Sequence, residues 1–332
     1  MRTSLAPAPE GFDEAAQVSR LLWGLMALTV AIAGLAAALA GVRFADSVGF
    51  LGQFALFLGV VIAAKVYMRF RGMGDARMRL CLDISAAFGL IALADLVIQY
   101  AAATVPAYPA TALVLRADRA LGFNWFDYDH YVSSVGPVWR TFRFCYGHWM
   151  AELVLAMAVL AYLRRYAAIG EFAIAFVLTG LTIIAIFTFV DVRSLESVAA
   201  YSLPGFHPPG GAGPGYLRAL QALRSGADRT LDFGHISPLI SFPSLHGATA
   251  LLLAAATRGL GPWRYPFLAF NVLVLVSTLS EGGHDLTDVV AGGVVACAAM
   301  MAAAAIYRAL PRGAGVRSQG RREVVDGATF SC

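Results

Sequence analysis

Ser241-Phe242-Pro243-Ser244-Leu245-His246-Gly247 opens an apolar run, and Glu281-Gly282-Gly283-His284-Asp285-Leu286-Thr287-Asp288 opens another. Between them lies a hairpin of two apolar segments, 244–257 and 265–281, turning at Arg258 and Arg264. A helix that enters a bilayer and one that returns bring the chain back to the same face. His246 and His284 are therefore expected to converge there. His284 and Asp288 stand at i and i+4, hence on one helix face. A carboxylate so placed can accept from one imidazole nitrogen and leave the other free as a nucleophile. His246 can then act as a general acid. The helix starts add unpaired N–H groups and a positive dipole end, suited to phosphate, with Ser244 and the Gly282-Gly283 pair supplying further donors.

Working outward, six more runs approach the ~20 apolar residues that a spanning helix needs: 21–41, 48–68, 80–103, 146–163, 169–190 and 285–307. The fold expected is all-α, a polytopic transmembrane helical bundle of about eight spans. Lys65, Arg69, Arg71, Arg77 and Arg79, then Arg164 and Arg165, Arg258 and Arg264, and Arg308, Arg312, Arg317, Arg321 and Arg322 fall on one side for eight spans with both termini together. The positive-inside rule makes that side cytoplasmic and places the histidines at the opposite face, periplasmic if the membrane is a bacterial inner one.

Composition agrees. Of 332 residues, 59% are hydrophobic and 14% charged, with a mean hydropathy of +0.68. A soluble domain would carry roughly a quarter charged residues. The net charge of +4 comes from basic clusters between apolar runs, a topology signal rather than a nucleic-acid surface. Cys81, Cys145, Cys297 and Cys332 show no metal-ligand spacing, so neither a metal nor another cofactor is expected. Two outer segments, aromatic 104–145 and Gly/Pro-rich 191–243, read as interfacial loops. His130, His148, His207 and His235 lack such a setting, although Glu152 follows His148 at i+4. The chain divides into N-terminal membrane spans, 1–105, a site-bearing membrane unit, 106–310, and a polar, disordered basic tail, 311–332.

Phe242-Pro243-Ser244-Leu245-His246 and Gly283-His284-Asp285-Leu286-Thr287-Asp288, with their spacing, resemble the second and third motifs of the type 2 phosphatidic acid phosphatase superfamily. The F-P-S-L-H variant is most similar to the inositol phosphorylceramide synthase-like phosphotransferase branch, as is Asp118-Arg119-Ala120-Leu121-Gly122-Phe123-Asn124-Trp125. The resemblance covers roughly 110–308. It implies metal-independent phosphoryl transfer in which His284 attacks phosphorus, Asp288 orients it and His246 protonates the leaving group. Substrate contacts would come from Ser244, Gly283 and an arginine. The family's first motif, K-x6-R-P, is absent, and Thr278 stands where its third motif carries Arg. Arg193, Arg140, Arg143, Arg218, Arg224 and Arg229 are the candidates to offset phosphate charge, Arg193 first because it abuts a rigid helix end.

Three functions compete: a lipid phosphatase acting on a lipid phosphate or pyrophosphate, a lipid head-group phosphotransferase, and a non-catalytic transporter or lipid-binding protein. The partners expected are a lipid phosphate substrate and membrane lipids, with no nucleic acid; oligomeric state has no signal. Lys65, Asp83, Asp95 and Glu152 are the few charges inside apolar runs, and no matched pair of broken helices supports a transporter.

Overall fold

The computed structural model describes residues 12–45, 48–71, 75–202, 213–236 and 239–311. In chain order the helices are α1 (Phe12–Ala40), α2 (Val48–Phe70), α3 (Ala76–Ala102), α4 (Thr111–Ala120), α5 (Trp125–Ser134), α6 (Gly136–Gly147), α7 (Trp149–Tyr162), α8 (Tyr166–Phe189), α9 (Leu195–Ser202), α10 (Gly213–Ser225), α11 (Leu245–Thr257), α12 (Arg264–Glu281) and α13 (Leu286–Ala309). Each expected span coincides with one helix: α1, α2, α3, α7, α8, α11, α12 and α13.

By length and apolarity, five of these can cross a membrane alone: α1, α2, α3, α8 and α13. The pair α6–α7, bent by 59°, would make a sixth. The count of eight is thus approximate. The 13 residues of α11 rise only about 20 Å against a hydrocarbon core of about 30 Å. α12 buries Asn271, Ser277, Thr278, Ser280 and Glu281, which lowers its apolarity. Both begin or end at the polar site and need not cover the full thickness.

One end of the bundle gathers the basic turns. Arg77 donates to the Tyr162 carbonyl at 3.1 Å, Arg165 to that of Gly259 at 3.4 Å, and Gln17 to that of Pro311 at 3.3 Å. A cavity of about 560 Å³ there is lined by Glu14, Arg164, Arg165, Glu171 and Arg258. The histidines lie at the other end, and this cavity has no part in their chemistry.

The first three helices are tied by a buried carboxylate. Asp83 on α3 accepts from Ser19 at 2.7 Å and from the Trp23 indole at 2.9 Å, both on α1, and pairs with Lys65 of α2. A single unpaired charge at that depth is costly, so the pair fixes register more than it stabilises. Phe88, Leu153, Met157, Ile169, Phe172 and Phe176 join α3, α7 and α8 in the main core. Leu56, Phe57, Val60 and Ile62 of α2 stay exposed, as a lipid-facing helix requires.

The two outer segments differ from the loops expected. Residues 104–145 fold into α4, α5 and α6, because polar and aromatic residues at helical spacing suit a membrane surface as well as a loop does. Within 191–243 lie α9 and α10. Two-residue parallel bridges fasten the segments: β1 (Arg43–Phe44) to β4 (Thr230–Leu231), and β2 (Tyr108–Pro109) to β3 (Val190–Asp191). His207 and the whole 204–211 Gly/Pro run lie outside the described residues, as does the expected tail from 312.

α11 and α13 cross almost backbone to backbone. The Ser244 N–H donates to the Asp288 carbonyl at 2.9 Å. A Cβ on Gly292 would run into the Ser244 carbonyl oxygen. Gly292→Val should destabilise the protein by about 1–3 kcal/mol, the usual effect of overpacking, and lower its thermal midpoint. Gly24→Ala, where a Cβ meets nothing within 4 Å, should leave the midpoint unchanged or higher. Equal midpoints for both variants would contradict this close crossing.

Candidate functional site

Ser244 caps α11, its hydroxyl oxygen accepting from the Gly247 N–H at 3.2 Å. His246 follows in the first turn. Asp285 caps α13, and its N–H donates to Asp288 Oδ2 at 3.1 Å. The turn into α13 needs Gly283 at φ +61, where a side chain would be strained and would meet Glu196.

His284 is held on its Nδ1 side. Its nearest partner is the Ser241 carbonyl at 2.7 Å, with Asp288 Oδ2 farther away at 3.6 Å. A carbonyl can only accept, so Nδ1 carries the proton and Nε2 keeps its lone pair. The sequence-based expectation gave this acceptor role to Asp288. The structure gives it first to a main-chain oxygen, while Asp288 accepts from the Ser241 hydroxyl at 3.0 Å. His246 faces His284 with ring centroids 6.3 Å apart. It stacks on Tyr146 at 4.6 Å and meets the edge of Trp149 at 5.0 Å. His284 is 4% exposed and Asp288 and Ser244 are 0%, so the pocket floor is dry.

The stretch Asp118–Trp125 lies over this pair of helices. Thr287 donates to Asp118 Oδ1 through its N–H at 2.7 Å and through its hydroxyl. The Trp125 indole donates to the Leu279 carbonyl at 2.8 Å, and Tyr128 to that of Val276 at 2.8 Å. These bonds position the ends of α12 and α13 without touching either histidine.

The candidate cations separate. Arg193 is bound by Asp191 at 3.1 Å, and its N–H donates to Thr111 at 2.9 Å. Arg224 donates to the Val105 and Phe187 carbonyls. Between them Tyr216 is buried, with no hydrogen-bond partner for its hydroxyl among the described residues. Burial first, then the charges of Asp191 and Asp288, raise the Tyr216 phenol, while Arg193 and Arg224 oppose this. Both arginines, like Asp288, thus lie within electrostatic reach of Tyr216. Arg143 stacks over Trp139, and its charge reaches Glu281. Arg140 and Arg218 are exposed, and Arg229 is bonded to the Ala40 carbonyl at the end of α1.

Asp129, Glu196, Glu281 and Asp285 were not singled out from sequence, yet they border the histidine turn. Glu196 is 0% exposed, and neither oxygen has a partner among the described residues. Burial first, then Asp129, Glu281 and Asp285, push its carboxyl up to about 8. Among the described residues no three His, Cys, Asp or Glu side chains are arranged to hold a metal ion. The possible pair His148–Glu152 does not form: His148 Nδ1 bonds to the Phe144 carbonyl at 2.8 Å and Glu152 accepts from Asn271 at 2.9 Å. The break between α6 and α7 turns the imidazole back along its own chain. His130 and His235 are exposed, the latter beside Asp232. Ser241 could have been found from its place in the quoted motif. Glu196 offered no spacing signal, because only the fold brings it under Gly283.

The sequence profile of the PAP2 superfamily matches residues 112–302. No curated protein and no solved structure matches the chain significantly.

Glu196 makes a pH prediction. Its pKa is raised from 4.5 to about 8 on folding, so the neutral acid is the form the fold accommodates. The stability it contributes is fully present below about 4.5 and is lost as pH rises through about 8. Glu196→Gln should flatten this decline in thermal midpoint between those limits. An unchanged pH slope in the variant would contradict the burial of this carboxyl without a cation.

Proposed function

The chain belongs to the PAP2 superfamily, and from that premise we propose that it is a membrane-embedded lipid phosphatase hydrolysing a lipid phosphate or pyrophosphate through a phosphohistidine on His284. The observation that carries this reading is the Nδ1 bond of His284 to the Ser241 carbonyl, which turns the basic Nε2 toward the space shared with His246. Nε2 attacks phosphorus and forms an N–P bond. The P–O bond to the leaving lipid breaks as His246 gives its proton to that oxygen. Water then attacks the phosphorus, returns a proton to His246 and frees His284. The negative charge of Asp288 steadies the imidazolium-like state.

Positive charge at the equatorial oxygens would come from Arg193 and Arg224, which share electrostatic reach of Tyr216 with Asp288, so the transfer is read as metal-independent. The Ser244 oxygen already accepts from Gly247, which leaves its O–H to donate. Gly283 permits close approach of the backbone. The site opens to the periplasm of a bacterial inner membrane and both termini lie in the cytoplasm. The basic turns gathered at the opposite end support this orientation.

A second reading is head-group transfer to a lipid or polyol acceptor, as in the inositol phosphorylceramide synthase-like branch. The near-complete burial of His284, Asp288 and Ser244 favours it, since a dry pocket protects the intermediate from water.

In EDTA, the purified protein should release phosphate from phosphatidic acid or a prenyl pyrophosphate, and His284→Ala should abolish release. His246→Ala should lose about 10²–10⁴-fold on lipid esters. It should recover most of that loss on an aryl phosphate, whose leaving group needs no proton. Equal activity of wild type and His284→Ala would contradict the assignment of the nucleophile.

A further inference from the structure

Among the described residues, the carboxyl groups that border the histidine turn form no ion pair. Glu196 points at the turn: its Oε2 stands 2.5 Å from where a Cβ on Gly283 would lie. Glu281 is 6% exposed and Asp285 1%. Each keeps one oxygen without a hydrogen-bond partner among the described residues, as Glu196 does with both. None of the three enters an ion pair within 4.0 Å among those residues. Aromatic surface is adjacent. A Cβ on Gly282 would lie 2.8 Å from His284 Cδ2 and 3.0 Å from Tyr146 Cε2, so the Tyr146 ring rests against the turn that carries the nucleophile. Tyr146 lies within electrostatic reach of Glu196 and Glu281, and its face also stacks on His246.

A bare phosphate monoester offers these carboxyl groups no partner. Buried carboxylates call for a positive partner. Carboxylates beside an aromatic ring form the chemistry that binds an ammonium group. Arg193 is engaged by Asp191 and Arg224 by the Val105 and Phe187 carbonyls, and neither forms an ion pair with these carboxyl groups.

We propose that Glu196, Glu281 and Asp285, with the Tyr146 ring, seat the cationic amine of a zwitterionic phospholipid head group, an amino-alcohol phosphate, whose phosphorus His284 attacks. The inference rests on the assignment of His284 as nucleophile and names the substrate class for that site. In the step it implies, Nε2 of His284 bonds to phosphorus, the P–O bond to the diacylglycerol breaks, and His246 protonates the leaving oxygen. The amino-alcohol phosphate stays on His284 until water or an alcohol takes it and returns a proton to His246. A bound amine also restores the charged form of Glu196, so binding releases a proton near neutral pH.

The test uses the full chain in mixed micelles with EDTA, supplied with phosphatidylethanolamine or phosphatidic acid. Wild type should cleave phosphatidylethanolamine with the higher kcat/KM. Glu196→Gln should raise KM for phosphatidylethanolamine roughly 30-fold more than for phosphatidic acid, the scale of a lost buried charge partner. Glu281→Gln, which serves if the first variant fails to fold, should shift the ratio in the same direction, and Glu196→Asp should recover part of it. Equal losses on both lipids, or wild-type turnover of phosphatidic acid alone, would overturn the amine seat while leaving the nucleophile standing if His284→Ala is inactive. Turnover that survives in His284→Ala would overturn both.

Discussion

The close crossing of α11 and α13 is the constraint on which the polar end of this protein depends. Gly292 removes the side chain that would hold the helices apart, and the Ser244 N–H closes on the Asp288 carbonyl. That single contact sets the strand of residues before α11 against the start of α13. Ser241 then has its carbonyl on His284 and its hydroxyl on Asp288. Small residues thus fix a helix crossing, the crossing fixes a tautomer, and the tautomer decides which nitrogen can react.

Around this clasp the protein distributes charge unevenly. Asp118 and the Trp125 and Tyr128 side chains hold the ends of α12 and α13 from the outside. Asp191 takes up Arg193 and the Val105 and Phe187 carbonyls take up Arg224, while Glu196, Glu281 and Asp285 keep oxygens without a partner among the described residues. In a medium of low dielectric such placement is expensive, so its retention at one end of an otherwise apolar bundle is itself a functional signal. Elsewhere the polar residues have structural work: Asp83 joins α1, α2 and α3 through Trp23, Ser19 and Lys65.

The helices were legible because apolar runs of this length have few alternatives in a bilayer, and each expected span begins or ends close to an observed helix. The amphipathic helices α4–α6 were not, since their polar and aromatic residues read equally well as interfacial loop. His246, His284 and Asp288 could be found from i, i+4 spacing and from the hairpin that returns the chain to one face. The Ser241 carbonyl could not, because a main-chain acceptor has no residue code. Arg193 drew attention by abutting a helix end, yet Asp191, two residues before it, takes up its guanidinium, and Arg224 reaches the same region from α10. Glu196 was hidden for a related reason: nothing in α9 marks a glutamate that only tertiary packing buries.

The central claim is that His284 carries the covalent intermediate. The most direct measurement is to quench the enzyme in alkali during turnover of a phosphorus-labelled lipid and map the label by mass spectrometry. The account predicts an acid-labile, alkali-stable adduct on His284 that is absent from His284→Ala. An adduct on His246, or turnover at full rate with no histidine adduct, would contradict it.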